Sequence, residues 1–254
     1  MLQIKNLSMS FEGLIALRDF DLEAGKGDLV GLIGPNGAGK TTVFNLISGI
    51  YEPTKGTIEL EGVSLLGMAP YEVTARGVAR TFQSVRLFGE LSVLENVEVA
   101  RHYQRGYSVF DAVLRTKRFV GGERRISKEA GHLLSVFGLY GRRHEKAGSL
   151  AYGEQRRLEI ARALATQPRL LLLDEPTAGM NPAEIAEVMR LIIQIRERFD
   201  LTILLIEHHM QVVMGICERI AVLDFGVKIA EGAPETIRQD PRVLEAYLGE
   251  PVSH

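Results

Sequence analysis

The sequence has one cysteine, no tryptophan and almost no net charge. Because Cys217 is the single cysteine among 254 residues, no disulfide can form within the chain and a disulfide scaffold is excluded. The formal net charge of -2 is too small to favour nucleic acid as a partner. The longest apolar runs, residues 170–173 and 203–206, are far shorter than the roughly 18 residues of a membrane-spanning helix. Any contact with a membrane is therefore expected to go through partner chains.

A secretion signal and internal repeats are also missing. Residues 1–11 lack the continuous apolar core of a signal peptide, which predicts a cytoplasmic protein. The apolar content of 46% and the charged content of 24% are those of a globular chain. One local run of the sequence is basic. Because no aromatic residues alternate with its charges, we expect it to form a solvated helix face. The alternative is a surface that binds nucleic acid or anionic lipid. The run comprises Arg115, Lys117, Arg118, Arg124, Arg125 and Lys128.

Short alternating runs in the first third of the chain predict β structure. Residues 4–11, 17–23 and 57–63 show partial period-2 alternation between glycine-bearing turns and predict an antiparallel flap. Residues 29–33 form a compact apolar run, and residues 40–49 have apolar positions at helical spacing. This part of the chain therefore reads as a flap joined to a strand, a glycine-rich loop and a helix.

The remainder predicts an inserted helical lobe and a parallel sheet. Residues of about 91–166 are mostly helical in pattern, and Gly121 and Gly122 are expected to break one long segment. Residues 170–173 and 202–206 are buried-type strands. The helix between these strands begins with Asn181 as N-cap and Pro182 at its first position, and a hairpin follows over 219–231. The fold class is thus α/β, with a mostly parallel core sheet, an N-terminal antiparallel subdomain and a helical insertion.

The turn after the first buried strand matches the P-loop pattern at every fixed position. Residues 34–41 read GPNGAGKT, and such glycines let backbone N–H groups converge on phosphate oxygens. Lys40 would reach the terminal phosphates, and the Thr41 hydroxyl would coordinate Mg²⁺. The strand, loop and helix context makes a glycine-rich turn without a ligand the weaker interpretation.

Two carboxylates follow the buried strand 170–173. Asp174 and Glu175 would lie at the carboxyl edge of the sheet, where open α/β sheets bind ligands. Asp174 is predicted to hold the Mg²⁺ shell through water, and Glu175 to polarise the water that attacks the terminal phosphate. A parallel sheet would bring His208 to the same edge. Gln83, by itself, carries almost no signal.

Taken together, these motifs resemble the nucleotide-binding subunit of ABC transporters across nearly the whole chain. The resemblance implies that Phe11 stacks on adenine, that Gln83 is the Q-loop residue and a metal ligand, and that His208 is the switch histidine. It implies catalytic roles for Glu175, His208 and Gln83, and metal roles for Thr41, Gln83 and Asp174. The residues that it implies for nucleotide binding are Phe11, Ala16, Gly34, Asn36, Gly37, Ala38, Gly39, Lys40, Thr41 and Thr42, with Ala151, Tyr152, Gly153 and Glu154 of the signature segment.

Two residues depart from the family pattern. Ala151 stands where the usual signature has serine, and an alanine cannot donate a hydrogen bond to phosphate. The signature would then act through backbone, with Gly153 opening a helix over 154–165. Asn181 stands where the family often has aspartate, which keeps the cap but loses the charge.

Three stretches narrow the resemblance to one subgroup. Residues 151–164, 77–83 and 246–249 resemble the ATP-binding subunit of branched-chain amino-acid uptake systems, specifically the one with the longer helical lobe, which would account for a segment of about 101–128. Closely similar subunits serve other cargoes, including lipopolysaccharide export. We expect one nucleotide-binding domain over 1–254, with its core at about 1–90 and 167–254 and its helical lobe at about 91–166.

The resemblance implies an importer motor with ATP and Mg²⁺ as cofactors. Two such chains, identical or paralogous, would bind two ATP head to tail and push on transmembrane permease subunits at the inner face of the membrane. A substrate-binding protein outside the membrane would be an indirect partner. The rival hypotheses are a soluble ABC-type ATPase acting on nucleic acid, which the single motif set and the charge balance disfavour, and a small-molecule kinase built on the P-loop.

Overall fold

A computed structural model describes residues 1–102 and 106–248, with the side chain of Leu248 left out. The chain divides into two compact units. The core unit comprises Met1–Gln83 and Arg169–His254, and the helical unit comprises Ser84–Pro168. No helix in the described ranges has both the length and the apolar character to cross a membrane.

An antiparallel sheet forms the N-terminal part of the core unit. Its strands are β1 (Leu2–Phe11), β2 (Leu14–Ala24), β4 (Lys55–Leu60) and β5 (Val63–Ser64), in the order β2-β1-β4-β5. Leu2 and Ile4 are buried, and a register shift after Ile4 returns Leu7 to the buried face. Asn6 makes this bulge with a φ of 48°, a conformation that asparagine tolerates better than most residues. The predicted flap is confirmed, although its third run is divided by a turn.

A second, six-stranded sheet has the order β10-β9-β3-β8-β7-β6 and is parallel except for β10, which pairs antiparallel with β9. Every residue of β3, β7 and β8 is buried, as expected of strands covered on both faces. Their carboxyl ends meet at one edge, which positions the loops that follow them. The strands are β3 (Leu29–Ile33), β6 (Val78–Arg80), β7 (Leu170–Asp174), β8 (Thr202–Ile206), β9 (Arg219–Asp224) and β10 (Val227–Gly232).

The helices of the core unit begin at recognisable signals. In the longest, the Asn181 side chain accepts hydrogen bonds from the N–H groups of Ala183 and Glu184 at 2.9 and 3.1 Å, with Pro182 at the first position, as the sequence predicts. The C-cap of this helix is Asp200, whose φ is 52°. The helices are α1 (Lys40–Ile47), α2 (Pro70–Ala75), α7 (Pro182–Phe199), α8 (Met210–Ile216), α9 (Pro234–Gln239) and α10 (Pro241–Leu248).

The helical unit is built from α3 (Val93–Arg101), α4 (Val109–Val113), α5 (Lys117–Val136) and α6 (Tyr152–Ala165), and α3 packs on both α5 and α6. Ser92 caps α3 through a reciprocal pair: its hydroxyl accepts from the Glu95 N–H at 3.2 Å, and the Glu95 carboxylate accepts from the Ser92 N–H at 2.7 Å. Such a capping box satisfies two otherwise unpaired donors.

Two predictions about secondary structure are wrong in detail, and two short elements are missed. Gly121 and Gly122 do not break a helix, because α5 runs through both; tertiary packing outweighs the weak helix propensity of glycine. Helix α6 begins at Tyr152 with Ala151 as its N-cap, so Gly153 lies inside the first turn and does not open the helix. Strand β6 and helix α2 were not predicted, since both are too short to show periodicity.

Candidate nucleotide site

The loop between β3 and α1 depends on its glycines. Gly34, Gly37 and Gly39 have φ values of 147°, 81° and 104°, where residues with a Cβ are strained. A Cβ on Gly34 would lie 2.0 Å from the Leu223 carbonyl oxygen, and one on Gly39 would lie 2.7 Å from the Ala16 carbonyl oxygen. A Cβ on Gly37, by contrast, would have no atom within 4 Å apart from those of its own residue and its chain neighbours. The loop is therefore packed tightly from behind and open in front.

Lys40 places its ammonium group inside this loop. The side chain is 5% exposed, and its Nζ donates to the carbonyl oxygens of Gly34 and Pro35 at 2.7 and 2.8 Å. Burial lowers the pKa of Lys40, and the nearby carboxylates of Glu175 and Asp174 oppose that shift. A positive charge held under a ring of backbone groups is suited to phosphate oxygens.

The start of α1 adds hydrogen-bond donors to the same loop. Its N-cap is Gly39, and no side chain caps the helix. The N–H of Val43 donates to the Gly39 carbonyl at 3.1 Å, and the N–H groups before it in the first turn have no intrahelical acceptor. Together with the helix dipole they form an anion site at the positive end of α1. The Thr41 side chain is exposed at this end.

Glu175 sits where the sequence predicts, at the carboxyl edge of β7. It adopts a φ of 48°, a strained conformation for a residue with a side chain. Its Oε1 lies 2.8 Å from His208 Nε2, and its Oε2 accepts from Gln83 Nε2 at 3.0 Å. Both carboxylate oxygens are thus held by the other two residues with predicted catalytic roles, which come from the ends of different strands.

These groups surround one cavity of about 280 Å³. It lies within the core unit and gathers half of the fourteen residues predicted to bind nucleotide. Phe11 is 36% exposed and packs edge-on against Tyr51, with ring centroids 5.2 Å apart. The lining residues are Ala16, Asn36, Gly37, Gly39, Lys40, Thr41, Thr42, Gln83, Glu175 and His208.

Asp174 is held by a buried arginine that sequence reasoning missed. Asp174 is 3% exposed, and its Oδ2 accepts from Arg80 Nη2 at 2.9 Å. Arg80 also donates to Asn45 Oδ1 of α1 at 2.6 Å, so one guanidinium joins β6, β7 and α1. Arg80 lies within the stretch 77–83 that resembles the transporter subgroup, but a single arginine in a short strand gave no separate signal.

A second missed residue, Glu207, links the loops after β7 and β8. Its carboxylate is 1% exposed and accepts from the Thr177 N–H at 2.9 Å and from the Thr177 hydroxyl at 2.5 Å. It also accepts from the N–H groups of His208 and His209 at 3.0 and 3.3 Å. Glu207 therefore ties the loop that carries Glu175 to the loop that carries His208.

The signature segment lies in the helical unit. The Ala151 N–H donates to a Glu154 carboxylate oxygen at 3.2 Å, but the alanine side chain caps nothing, so the first turn of α6 has no side-chain acceptor. Tyr152 is 45% exposed, and Gln155 donates to the Leu150 carbonyl at 2.9 Å. The N–H groups of Glu154 and Gln155 donate to the Ala151 carbonyl, whereas those of Tyr152 and Gly153 precede them and stay available to an anion.

The core-unit residues fit a nucleoside triphosphate with Mg²⁺. The open glycine loop, the buried lysine and the start of α1 supply phosphate ligands, and the Thr41 hydroxyl is a hard oxygen ligand beside them. Within the described residues there is no group of three or more His, Cys, Asp or Glu that could hold a metal alone. Mg²⁺ needs none, since it binds through one or two protein ligands, phosphates and water.

A P-loop facing a carboxylate held by histidine and glutamine, on a parallel core with a helical insertion, defines an ATP-binding cassette. Residues 17–178 match the family described as ABC transporter, and residues 227–253 match the branched-chain amino acid ATP-binding cassette transporter family. The chain belongs to the ABC transporter family, as an ATPase subunit. The predicted family and fold class are confirmed. Gly249, the last residue of the predicted subgroup stretch 246–249, lies outside the described residues.

Individual relatives agree with this assignment. The high-affinity branched-chain amino acid transport ATP-binding protein LivG of Salmonella typhimurium is 48% identical over 250 residues, which cover 98% of both chains. The high-affinity branched-chain amino acid transport ATP-binding protein BraF of Pseudomonas aeruginosa is 44% identical over 250 residues, which again cover 98% of both chains. The crystal structure of the ADP conformation of MJ1267, an ATP-binding cassette of an ABC transporter, is 30% identical and superposes with a TM-score of 0.85 over 98% of this chain and 99% of that one.

Proposed function

We propose that this chain hydrolyses ATP to power an importer of branched-chain amino acids. The observation that carries the ATPase role is the grouping of Lys40, Glu175, Gln83 and His208 around one cavity. The cargo is supported by the full-length similarity to LivG and BraF and by the family match over residues 227–253.

The phosphate loop does most of the binding. Lys40 exchanges its bonds with loop carbonyls for bonds with phosphate oxygens, and the N–H groups of the loop and of the first turn of α1 surround those oxygens. Thr41 and Gln83 are the side chains that would hold Mg²⁺ directly, and Asp174 would act through water. When bound, the ion neutralises phosphate charge during the transfer. Phe11 provides an exposed ring for adenine.

Glu175 acts on the water that attacks the terminal phosphate. Its carboxylate accepts a hydrogen bond from that water and polarises it, a role worth about 10²–10⁴-fold in rate. His208 and Gln83 hold the two carboxylate oxygens, at 2.8 and 3.0 Å, and so fix the direction of the acceptor. This preorganisation spares the site from reorganising during the reaction.

A second ATP-binding chain completes the site. Developing charge on the terminal phosphate needs donors on its open side, and the uncapped start of α6 at Tyr152 and Gly153 offers them. We assign this segment to the site of a partner chain, identical or paralogous, in a head-to-tail dimer. Transmembrane permeases would receive the motion, which places the chain at the inner face of the membrane, with a substrate-binding protein as indirect partner.

Gene replacement tests this function. The chain is expressed in a Salmonella typhimurium strain that lacks LivG, and ATP-dependent uptake of labelled leucine is measured. We expect uptake to be restored by the wild-type chain and not by Lys40→Ala, whose matched control Lys26→Ala removes a solvent-exposed charge. ATP turnover of each purified chain is measured in parallel. ATP turnover without restored uptake would contradict the proposal that branched-chain amino acids are the cargo. ATP turnover at the wild-type rate by Lys40→Ala would contradict the ATPase assignment.

A further inference from the structure

The helical unit has a cavity of its own, of about 580 Å³, whose ten lining residues include three lysine or arginine side chains and two histidines. One wall is the exposed face of α5, and the other is the turn that follows this helix. We call this feature the basic pocket, and its charged and aromatic walls are Arg124, Lys128, His132, Tyr140, Arg143 and His144. Two residues of the basic run seen in the sequence, Arg124 and Lys128, thus line a cavity, where a solvated helix face was expected.

The positive charges of the basic pocket are not balanced locally. None of its lining residues is acidic, and in the described ranges neither Arg124 nor Lys128 forms an ion pair. Elsewhere in the helical unit basic side chains do pair: Arg101 with Glu129, and Arg142 with Glu154. Arg124 and Lys128 are four residues apart on one helix, an arrangement of like charges that destabilises a helix. In a chain of net charge -2, such a cluster favours an anionic ligand.

Small residues of α5 also line the pocket. Ser127, Gly131 and Ser135 recur every four residues along this helix and border the cavity. A Cβ on Gly131 would lie 3.1 Å from Tyr140 Cε2, so glycine permits the ring to close against the helix. The Arg143 guanidinium lies 4.4 Å from the Tyr140 ring centroid and donates to the Tyr140 carbonyl at 3.1 Å. One cationic group is therefore fixed in place before any ligand arrives.

We propose that the basic pocket binds a phosphate-bearing anion. An arginine fork held by an aromatic ring and a flexible lysine are the side chains that recognise phosphate oxygens. The volume lies within the range of about 300–1,000 Å³ that is typical of small-ligand sites, which suits a phosphorylated head of a few polar groups. A lipid headgroup and a soluble organic phosphate share this chemistry, and both sources are tested below.

The full-length chain, with Mg²⁺ and ADP at saturation to fill the phosphate loop, is assayed with two probes. Glycerol phosphate is titrated by calorimetry, and vesicles of phosphatidylcholine with or without phosphatidylglycerol are used for co-sedimentation. The test variant is Arg124→Gln with Lys128→Gln. The matched control, Lys117→Gln with Arg118→Gln, removes the same charge from exposed positions at the start of the same helix.

We expect the test variant to lose about 25-fold in affinity, since each basic side chain contributes about fivefold at an anionic surface, and the control to lose less than about threefold. Loss in the vesicle arm alone identifies a lipid headgroup, and loss in both arms identifies a soluble phosphate ligand. Thermal unfolding of the test variant should occur at or above the wild-type temperature, because a like-charge pair is removed. Equal losses in the two variants, or saturable binding in neither arm, would overturn the proposal.

Discussion

At the scale of single residues, Glu207 is a positioning residue, which holds the loops of the site in place and has no role in the reaction itself. Its carboxylate is buried and binds backbone N–H groups from the loops after β7 and β8. An ionised acceptor with several N–H donors forms stronger hydrogen bonds than a neutral one. Because Glu175 and His208 lie on these two loops, a change at Glu207 is transmitted to the hydrogen bond between them.

Glu207→Gln should lower the rate of ATP hydrolysis by about 100-fold, since a misplacement of about 1 Å can cost that much. The dissociation constant for ATP should change by less than about threefold, because the phosphate loop lies between β3 and α1 and Glu207 does not hold it. Single-turnover hydrolysis and equilibrium binding of ATP measure the two quantities separately.

Glu218→Gln is the matched control for this prediction. Glu218 is half-exposed, pairs with Arg196 at 2.5 Å and lies outside the cavity, so its loss should leave turnover within about twofold of wild type, as is usual for surface changes. Equal loss of affinity and turnover in Glu207→Gln would instead indicate general destabilisation of the core unit.

At the scale of secondary-structure elements, α5 contains two adjacent glycines in different environments. Apart from its chain neighbours and the adjacent helix backbone, a Cβ on Gly121 would have no atom within 4 Å, whereas one on Gly122 would lie 2.7 Å from Tyr107 Cδ1. Tyr107 is held there by an edge-on contact with Phe119 at 5.1 Å and by a hydrogen bond to Glu123. Gly122 therefore serves packing, and Gly121 contributes only its low helix propensity.

The two glycines predict opposite results for the same substitution. Gly121→Ala should stabilise the protein by about 0.5–1 kcal/mol, the difference in helix propensity. Gly122→Ala gains the same propensity but must displace the Tyr107 ring, at a cost of about 1–3 kcal/mol for overpacking. Thermal unfolding should thus rise for the first variant and fall for the second. A rise of equal size in both would contradict the packing of Tyr107 on α5.

Helix α5 also shows why helix propensity alone gave a wrong prediction at its two adjacent glycines. Propensity treats Gly121 and Gly122 alike and predicts a break, but the helix is held by packing of its apolar face, as in most proteins. Its buried residues, which include Ile126, Leu133 and Leu134, follow helical spacing, and all of them lie after the predicted break. Short elements such as β6 could not be predicted for a different reason, because three residues are too few to show a periodic pattern.

At the scale of the whole molecule, ATP itself should hold two chains together. The proposed mechanism places the phosphate loop of one chain and the start of α6 of another on the same nucleotide, so linkage requires ATP to stabilise the dimer. Glu175→Gln keeps the side chain's size but removes the carboxylate, and bound ATP should then persist. This variant should dimerise in ATP and remain monomeric in ADP, as measured by sedimentation.

Gly153→Asp in the Glu175→Gln background is the discriminating second variant. A carboxylate at the start of α6 would face the terminal phosphate of the partner's nucleotide, and repulsion should abolish the dimer while each monomer still binds ATP. A dimer that survives this change would remove the shared-site mechanism. If the natural partner is a paralogue, each of the two variants is mixed with that chain and the sedimentation measurement is repeated.

The motif residues could be identified from the sequence because their chemistry requires particular residue types at fixed local spacing. The three loop glycines, Lys40 and Thr41 lie within eight positions of the chain, 34–41, and the pattern is legible without a fold. Asp174 and Glu175 follow a run of four leucines, residues 170–173, whose apolar character predicts a buried strand. The parallel alternation of strands and helices was enough to predict that His208 lies at the same edge.

Only the tertiary structure decided which groups hold these residues in place. Arg80 reaches Asp174 across 94 positions, and Glu207 reaches Thr177 across 30, and no local pattern selects such partners. The basic pocket has the same origin, since Arg124 and Lys128 face Arg143 only once the turn after α5 folds back on the helix. Local spacing follows from the covalent chain, whereas distant contacts and their charge balance follow from packing, in which every neighbour takes part.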